Sequence, residues 1–284
     1  MEIQKICVAG GGRMGRQIAM CAAIYGVEAN VYDLVEAVLT DVEKWADEYL
    51  AGRVAKGRMT QEQVDGIKAR FSTTDDLTVA CKDTDIVIEA IIEDKQAKTE
   101  LLSKVSKLVR PDTIIATNSS FMVSSTFAGV VDHPERLANL HYFAPALVMK
   151  LVEVVGGEHT SQETMDKLME FGRSTGKTPA RVKKEEDGFI VNNILKAIKE
   201  EAYRLVNEGV CDLEDLDTAV ELGLGHPMGP FKIDDMNGLD VRYNVLKRRY
   251  EETGVKSQGY DMIARMYEQG RYGKKTKHGF YDYE

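Results

Sequence analysis

Apolar residues in the first two thirds of the chain gather into short runs: Lys5–Ala9, Glu28–Tyr32, Ile86–Ala90, Thr113–Thr117, Leu137–His141 and Leu151–Val155. Runs of this length mark strands buried on both faces, and helical spacing fills several of the gaps between them. Parallel strands need crossovers, and strand–helix–strand alternation supplies them, so the pattern predicts an α/β fold with a doubly wound, mainly parallel sheet. The charged stretch Leu34–Phe71 has helical spacing on either side of Lys56-Gly57-Arg58. It reads as a helical hairpin inserted between the second and third strands.

The pattern changes after Lys183-Lys184-Glu185-Glu186-Asp187-Gly188, where charge and glycine cluster and strand runs cease. From Phe189 onward the period is helical: Ile190, Val191, Ile194, Leu195, Ile198, Ala202 and Leu205 share one face, and Gly209 follows as a stop. The remainder reads as helices broken by Gly/Pro turns, the longest spanning residues 223–230. Two domains are expected, an α/β domain over 1–186 and an all-helical one over 187–284.

A chain of 284 residues with 43% hydrophobic and 29% charged residues has the composition of a globular protein. Its formal net charge of -9 argues against nucleic acid or an anionic membrane as a general partner. No run approaches the roughly 20 apolar residues that span a bilayer. The N-terminal residues read as a strand rather than a secretory signal. Cys7, Cys21, Cys81 and Cys211 are scattered, which predicts buried free thiols in a reducing compartment, the cytoplasm. His133, His141, His159, His226 and His278 lack metal-ligand spacing, so no metal is expected.

Gly10-Gly11-Gly12-Arg13-Met14-Gly15 fits the G-x-G-x-x-G turn between a strand and a helix. Gly10 permits the tight turn, Gly12 lets backbone approach a pyrophosphate, and Gly15 allows close helix–strand packing. The helix N-terminus then offers amide donors and a positive dipole to the phosphates. Asp33 ends the second strand, where a carboxylate binds ribose hydroxyls and repels a 2′-phosphate. The cofactor expected of this Rossmann-type unit is therefore NAD.

In such sheets ligands bind beyond the C-terminal strand ends, where Thr117-Asn118-Ser119-Ser120 and His141-Tyr142-Phe143-Ala144-Pro145 arrive. Glu153 interrupts the apolar strand Leu151–Val155, and a buried carboxylate needs a partner. A His141–Glu153 pair answers that need and would serve general acid–base chemistry. Taken singly, each residue has an ordinary reading as well: a core histidine, a solvent-facing glutamate, a serine capping a helix. Asn192, four residues after Gly188, lies off its helix's apolar arc and could face either solvent or a cleft.

Several motifs, in order along the whole chain, resemble the L-3-hydroxyacyl-CoA dehydrogenase family, most of all its bacterial 3-hydroxybutyryl-CoA dehydrogenases. They are Gly10–Gly15, Asp33, Val87-Ile88-Glu89-Ala90-Ile91-Ile92-Glu93 with Lys98, Asn118-Ser119-Ser120, and His141 through Val154. Asp187-Gly188-Phe189-Ile190-Val191-Asn192, Gly225–Phe231 and Lys275-Thr276-Lys277-His278-Gly279-Phe280-Tyr281 complete the set. The resemblance implies a catalytic group of His141 as base, Glu153 as its carboxylate partner, and Ser120 and Asn192 on the substrate oxygen. The family's serine-to-histidine spacing selects Ser120 over Ser119.

The resemblance further implies a cofactor site of Gly10, Gly12, Arg13, Met14, Gly15, Asp33, Glu93, Lys98 and Asn118. It also implies an acyl-CoA substrate whose phosphates meet Arg53 and Lys56 of the hairpin, and a homodimer through the helical domain. The apolar segment Met228–Phe231 would suit that interface, or would pack within one subunit. Fatty acid or butyrate metabolism is the implied setting. Two departures bear on chain length: Ala144 stands where the family has asparagine, and Phe121 where it has leucine.

Three rival readings remain. A β-hydroxyacid dehydrogenase of the 6-phosphogluconate type needs a lysine where Asn192 stands. Against a relative acting on a non-CoA hydroxy compound, such as a sugar acid or carnitine, the long hairpin Leu34–Phe71 argues for CoA. A non-enzymatic NAD-binding protein would have no need of Ser120, His141, Glu153 and Asn192 together.

Overall fold

The computed structural model describes residues 3–284, which divide into a unit ending at Phe189 and a unit running from Ile190 to Glu284. The first unit is built on eight strands: β1 (Lys5–Ala9), β2 (Glu28–Tyr32), β3 (Phe71–Thr74), β4 (Ile86–Glu89), β5 (Ile114–Thr117), β6 (Leu137–Tyr142), β7 (Leu151–Val155) and β8 (Thr178–Val182). They form one sheet in the order β3-β2-β1-β4-β5-β6-β7-β8. All neighbours are parallel except β6 and β7, which run antiparallel. Its α-helices are α1 (Arg13–Ile24), α2 (Glu36–Ala55), α3 (Gln61–Lys68), α4 (Leu77–Cys81), α5 (Lys95–Leu108) and α6 (Gln162–Ser174).

The six expected strands are present within a residue or so, and two more join them. The missing two, Phe-Ser-Thr-Thr of β3 and Thr-Pro-Ala-Arg-Val of β8, lie at the sheet's two edges. An edge strand is half exposed and tolerates proline, so it carries no continuous apolar run to read. The hairpin appears as α2 and α3, joined at Gly57 with φ +63°, but it leads into the edge strand β3 rather than directly to Ile86. A capping box of Thr60 and Gln63 starts α3.

Apolar clusters cover both sheet faces. Ile6, Val8, Ile86, Ile88, Leu140 and Val154 pack with Ile18, Met20 and Leu168 on one side. Cys7, Val87 and Ile115 pack with Leu102, Val105 and Phe127 on the other. Cys7, Cys21 and Cys81 are buried free thiols, whereas Cys211 is only half buried. Hydrogen bonding to Cys81, together with burial, holds the Cys7 thiol well above its ordinary range, so it stays protonated.

The second unit comprises α7 (Val191–Asn207), α8 (Leu213–Leu224), α9 (Pro230–Asn237), α10 (Leu239–Thr253) and α11 (Tyr260–Glu268). Its core stacks Tyr203, Phe231 and Phe280 with Leu239, Leu246 and Ile263. Three buried aspartates are fully engaged there. Asp217 accepts from Phe231 N, Lys232 N and the Tyr281 hydroxyl, and Asp234 takes Lys199 and the Tyr203 hydroxyl. Asp235 takes Phe280 N, Tyr281 N and the Tyr283 hydroxyl.

Of the two readings given for Met228–Phe231, the structure shows the packing within one subunit for Pro230 and Phe231, while Met228 is half buried. Pro230 and Phe231 are buried inside the unit's own core, because Asp217 draws the start of α9 inward. The large apolar side chains this unit leaves exposed include Ile190, Ile194, Leu222, Leu224, Met236 and Val241. The apolar arc read on α7 is thus only partly a core face: Ala202 is buried, while Ile190 and Ile194 stand in solvent.

Candidate active site

The reversal at β7 creates the central feature of the site. In the antiparallel pair, His141 of β6 stands directly opposite Glu153 of β7. Cross-strand partners share a face within side-chain reach. His141 is 3% and Glu153 0% exposed, and imidazole Nδ1 lies 2.9 Å from Glu153 Oε2. A carboxylate accepts only, so Nδ1 carries the proton and donates it. Nε2 then presents its lone pair outward, where the Ser120 hydroxyl lies 2.8 Å away. The result is a hydrogen-bonded chain of Ser120, His141 and Glu153. The next residue, Tyr142, packs with the opposite cluster of the sheet, and burial raises its phenol far above the ordinary value, so it stays neutral.

Ser120 and Ser119 have separate tasks. Ser119 Oγ accepts from Met122 N at 2.9 Å and Phe121 N at 3.3 Å and also bonds Glu93, which makes it the post of a turn. The geometry leaves Ser120 to face the imidazole. Asn118 fastens the same loop to β6, its Oδ1 accepting from Tyr142 N at 2.9 Å. Phe121 projects into solvent beside Ser120.

A row of buried polar side chains escaped the sequence reading. Glu89, Thr117 and Asn139 are register partners across β4, β5 and β6, and each is fully buried. Glu89 accepts from Thr117 Oγ1 at 2.6 Å, Ile91 N at 2.8 Å and Lys98 Nζ at 2.6 Å. Lys98 also meets Glu93 at 3.0 Å. Asn139 Oδ1 accepts from Ser124 N at 2.7 Å, and its amide donates to Met122 O at 3.0 Å. The row pins the loops after β4 and β5 to the strand that bears His141. A polar residue within or closing an apolar strand is the signal that could have found them: Asn139 interrupts β6 as Glu153 interrupts β7, and Glu89 and Thr117 close β4 and β5. Lys177 is a further omission: its buried ammonium donates to the Ala146 and Met149 carbonyls and secures the loop after β6.

The glycine turn suits a dinucleotide. Gly10 has φ +115°, and a β-carbon there would strike the Ala90 carbonyl; one on Gly15 would strike the Gly10 carbonyl. A β-carbon on Gly12 would meet nothing, so that side is open to an incoming phosphate. No side chain caps α1, leaving its first amides, over Arg13, Met14 and Gly15, to an anion. Asp33 Oδ2 accepts from Gly11 N at 2.8 Å and Oδ1 from Val35 N at 3.0 Å, which sets the carboxylate beside the turn.

Replacing Asp33 by serine is therefore expected to do two things at once. It should raise kcat/KM with NADPH relative to NADH by about 10²-fold, because the carboxylate that would repel a 2′-phosphate is gone. It should also weaken NADH binding, since the turn loses two anchors. Steady-state rates with both coenzymes check this.

Lys98 is 1% exposed and paired with two carboxylates, which ties α5 to the end of β4 and the loop after it. Arg53 lies half buried in the last turn of α2, and Lys56 is exposed just beyond it. Asn192 occupies the first turn of α7, in the second unit, and is half buried. Among the described residues no cluster of three or more His, Cys, Asp or Glu could hold a metal ion, and no helix is long and apolar enough to cross a membrane.

Comparison with known proteins gives consistent matches over the full chain. Residues 5–186 match the model of the 3-hydroxyacyl-CoA dehydrogenase NAD binding domain, and residues 188–283 match that of the 3-hydroxyacyl-CoA dehydrogenase C-terminal domain. A probable 3-hydroxybutyryl-CoA dehydrogenase of Bacillus subtilis is 36% identical over 285 residues, covering 100% of this chain and 99% of that protein. The mitochondrial hydroxyacyl-coenzyme A dehydrogenase of Sus scrofa is 36% identical over 290 residues, covering 99% and 92%. The crystal structure of (S)-3-hydroxybutyryl-CoA dehydrogenase from Ralstonia eutropha superposes with a TM-score of 0.90 at 31% identity, covering 100% of both chains.

Proposed function

The chain belongs to the 3-hydroxyacyl-CoA dehydrogenase family, with an NAD-binding first unit, and on that premise we propose that it interconverts 3-hydroxyacyl-CoA and 3-oxoacyl-CoA. The substrates proposed are the short ones, 3-hydroxybutyryl-CoA and acetoacetyl-CoA. The observation that carries the proposal is the hydrogen-bonded chain of Ser120, His141 and Glu153 at the C-terminal rim of the sheet.

NAD, when bound along Gly10–Gly15 and Asp33, supplies the hydride acceptor for oxidation and, in reduced form, the donor for reduction. In oxidation, His141 Nε2 accepts the proton of the C3 hydroxyl while C3 gives up its hydride. Glu153 holds the imidazole tautomer through Nδ1 and offsets the positive charge that forms. The Ser120 hydroxyl, already at Nε2, hydrogen-bonds the substrate oxygen as it becomes a carbonyl. Asn192 is proposed as a second ligand of that oxygen, and Arg53 and Lys56 as contacts of the CoA phosphates. In reduction, protonated His141 returns its proton to the oxygen while C3 takes the hydride.

Acetoacetyl-CoA should oxidise NADH with kcat/KM on the order of 10²-fold above that of free acetoacetate, since binding of the remote CoA portion is spent on the reacting carbon. NADH absorbance measures both. Parity, or a preference for acetoacetate, would favour a dehydrogenase of non-CoA hydroxy compounds. Intact NADH binding without turnover of either would favour a non-enzymatic relative.

We infer too that the protein works as a cytoplasmic homodimer in fatty acid or butyrate metabolism. The buried free thiols suit a reducing compartment. The exposed apolar residues Ile194, Leu222, Leu224, Met236 and Val241 of the helical unit suit a subunit interface.

A further inference from the structure

Two phenyl rings lie against the His141 imidazole. Phe143 follows two residues later in the chain, its centroid 4.6 Å away and its plane tilted by 60°. Phe189 comes from the far end of the first unit, with its centroid at 5.4 Å and a tilt of 59°. Its ring is 3% exposed and packs with Val155 and Val182, with Val123 against them. Val155 lies two residues beyond Glu153 in β7, so the strand that holds the carboxylate also supports the ring that covers the imidazole.

The backbone beneath this ring is unusual. Phe189 has φ +51°, directly after Gly188 at φ +82°. Glycine takes the left-handed region freely, whereas a bulky aromatic residue there is rare and strained. Strain of this kind persists where the surroundings over-determine it, typically at functional sites. Here the surroundings are visible. Glu185 accepts from Ser124 Oγ at 2.8 Å and from Ser125 N at 2.9 Å, which fixes the approach of the segment. The Phe189 N–H donates to the Glu186 carbonyl at 2.9 Å, closing a turn. Ser124 in turn is held by Asn139, two residues before His141 in β6. A strained turn anchored this way delivers one side chain, and it delivers it onto the imidazole.

We propose that Phe189 is a positioning residue for His141: its ring fixes the imidazole plane and shields it from water, so that Nε2 points at the substrate oxygen. The strained turn is retained for the ring it places. The proposal rests on the acid–base role assigned to His141 above. Aromatic contacts are individually modest, and misalignment of a reacting group multiplies their effect on rate, so loss of the ring should cost about tenfold in kcat.

Phe189→Leu keeps an apolar side chain on the strained backbone, whereas Phe189→Gly removes both ring and strain. Both variants should lose about tenfold in kcat for acetoacetyl-CoA reduction, with the NADH dissociation constant unchanged. In the substrate-free protein, the His141 Cε1 proton, assigned by its absence in His141→Ala, should move towards its unstacked resonance in both. Wild-type kcat in either variant, or an unmoved resonance in both, overturns the proposal. A loss of kcat that merely tracks the thermal midpoint and recovers on cooling also overturns it, because it would mark a structural role alone. Should the parent protein fail to turn over acetoacetyl-CoA while the resonance still shifts, the substrate reading falls and the positioning of the imidazole stands.

Discussion

His141→Ala lowers turnover by at least about 10²-fold in both directions, because general acid–base assistance is typically worth 10²–10⁴-fold. NADH binding remains nearly intact, since the glycine turn and Asp33 belong to β1, β2 and α1, away from the β6–β7 pair. Glu153→Gln gives a loss of the same order by a different route. Its amide can offer NH₂ rather than oxygen to Nδ1, which moves the imidazole proton to Nε2 and removes the lone pair that accepts from substrate. Steady-state kinetics of acetoacetyl-CoA reduction and 3-hydroxybutyryl-CoA oxidation, with NADH fluorescence titration alongside, measure both effects. Near-parental turnover in the two variants would remove the pair from the mechanism.

The second large effect is on stability. Lys98→Met leaves the fully buried Glu89 carboxylate with Thr117 and Ile91 N but no cation, and breaking a buried pair from one side costs about 3–5 kcal/mol. Urea unfolding should show this loss in the transition of the first unit. NADH should also bind more weakly, because Gly10 packs on the carbonyl of Ala90, the residue after Glu89. Adding Glu89→Gln to Lys98→Met should restore part of the stability, since no unpaired charge then remains. A double variant as unstable as the sum of the singles would show that the ion pair contributes nothing as a pair.

The parts of this molecule that were legible in sequence are those where one physical demand dominates. Strands buried on both faces must be largely apolar, as Ile86-Val87-Ile88 of β4 are. The Gly10–Gly15 turn must lack β-carbons where Gly10 and Gly15 would otherwise collide with the backbone. Edge strands escape the first demand, so Phe71–Thr74 and Thr178–Val182 were invisible. Glu153 stood out because an acid inside an apolar strand requires an explanation. Glu89 and Thr117 stand at strand ends, where such a signal merges with the ordinary polarity of loops, while Asn139 lies inside β6 but carries no charge to demand a partner. Met228–Phe231 stays open in sequence because an apolar turn reads alike whether it faces a partner or its own core. Only Asp217, which lies beside it in the fold, decides between them.

The placement of His141 opposite Glu153 has a consequence for descent. Both residues are specified within one short, contiguous piece of gene and meet through backbone pairing alone, so recombination seldom separates them. Their fates are nonetheless unequal. A lineage that lost the imidazole would keep a buried carboxylate one hydrogen bond poorer, and drift would find little reason to preserve that acid. Relatives that have abandoned the chemistry should therefore lack both residues, rather than either one alone.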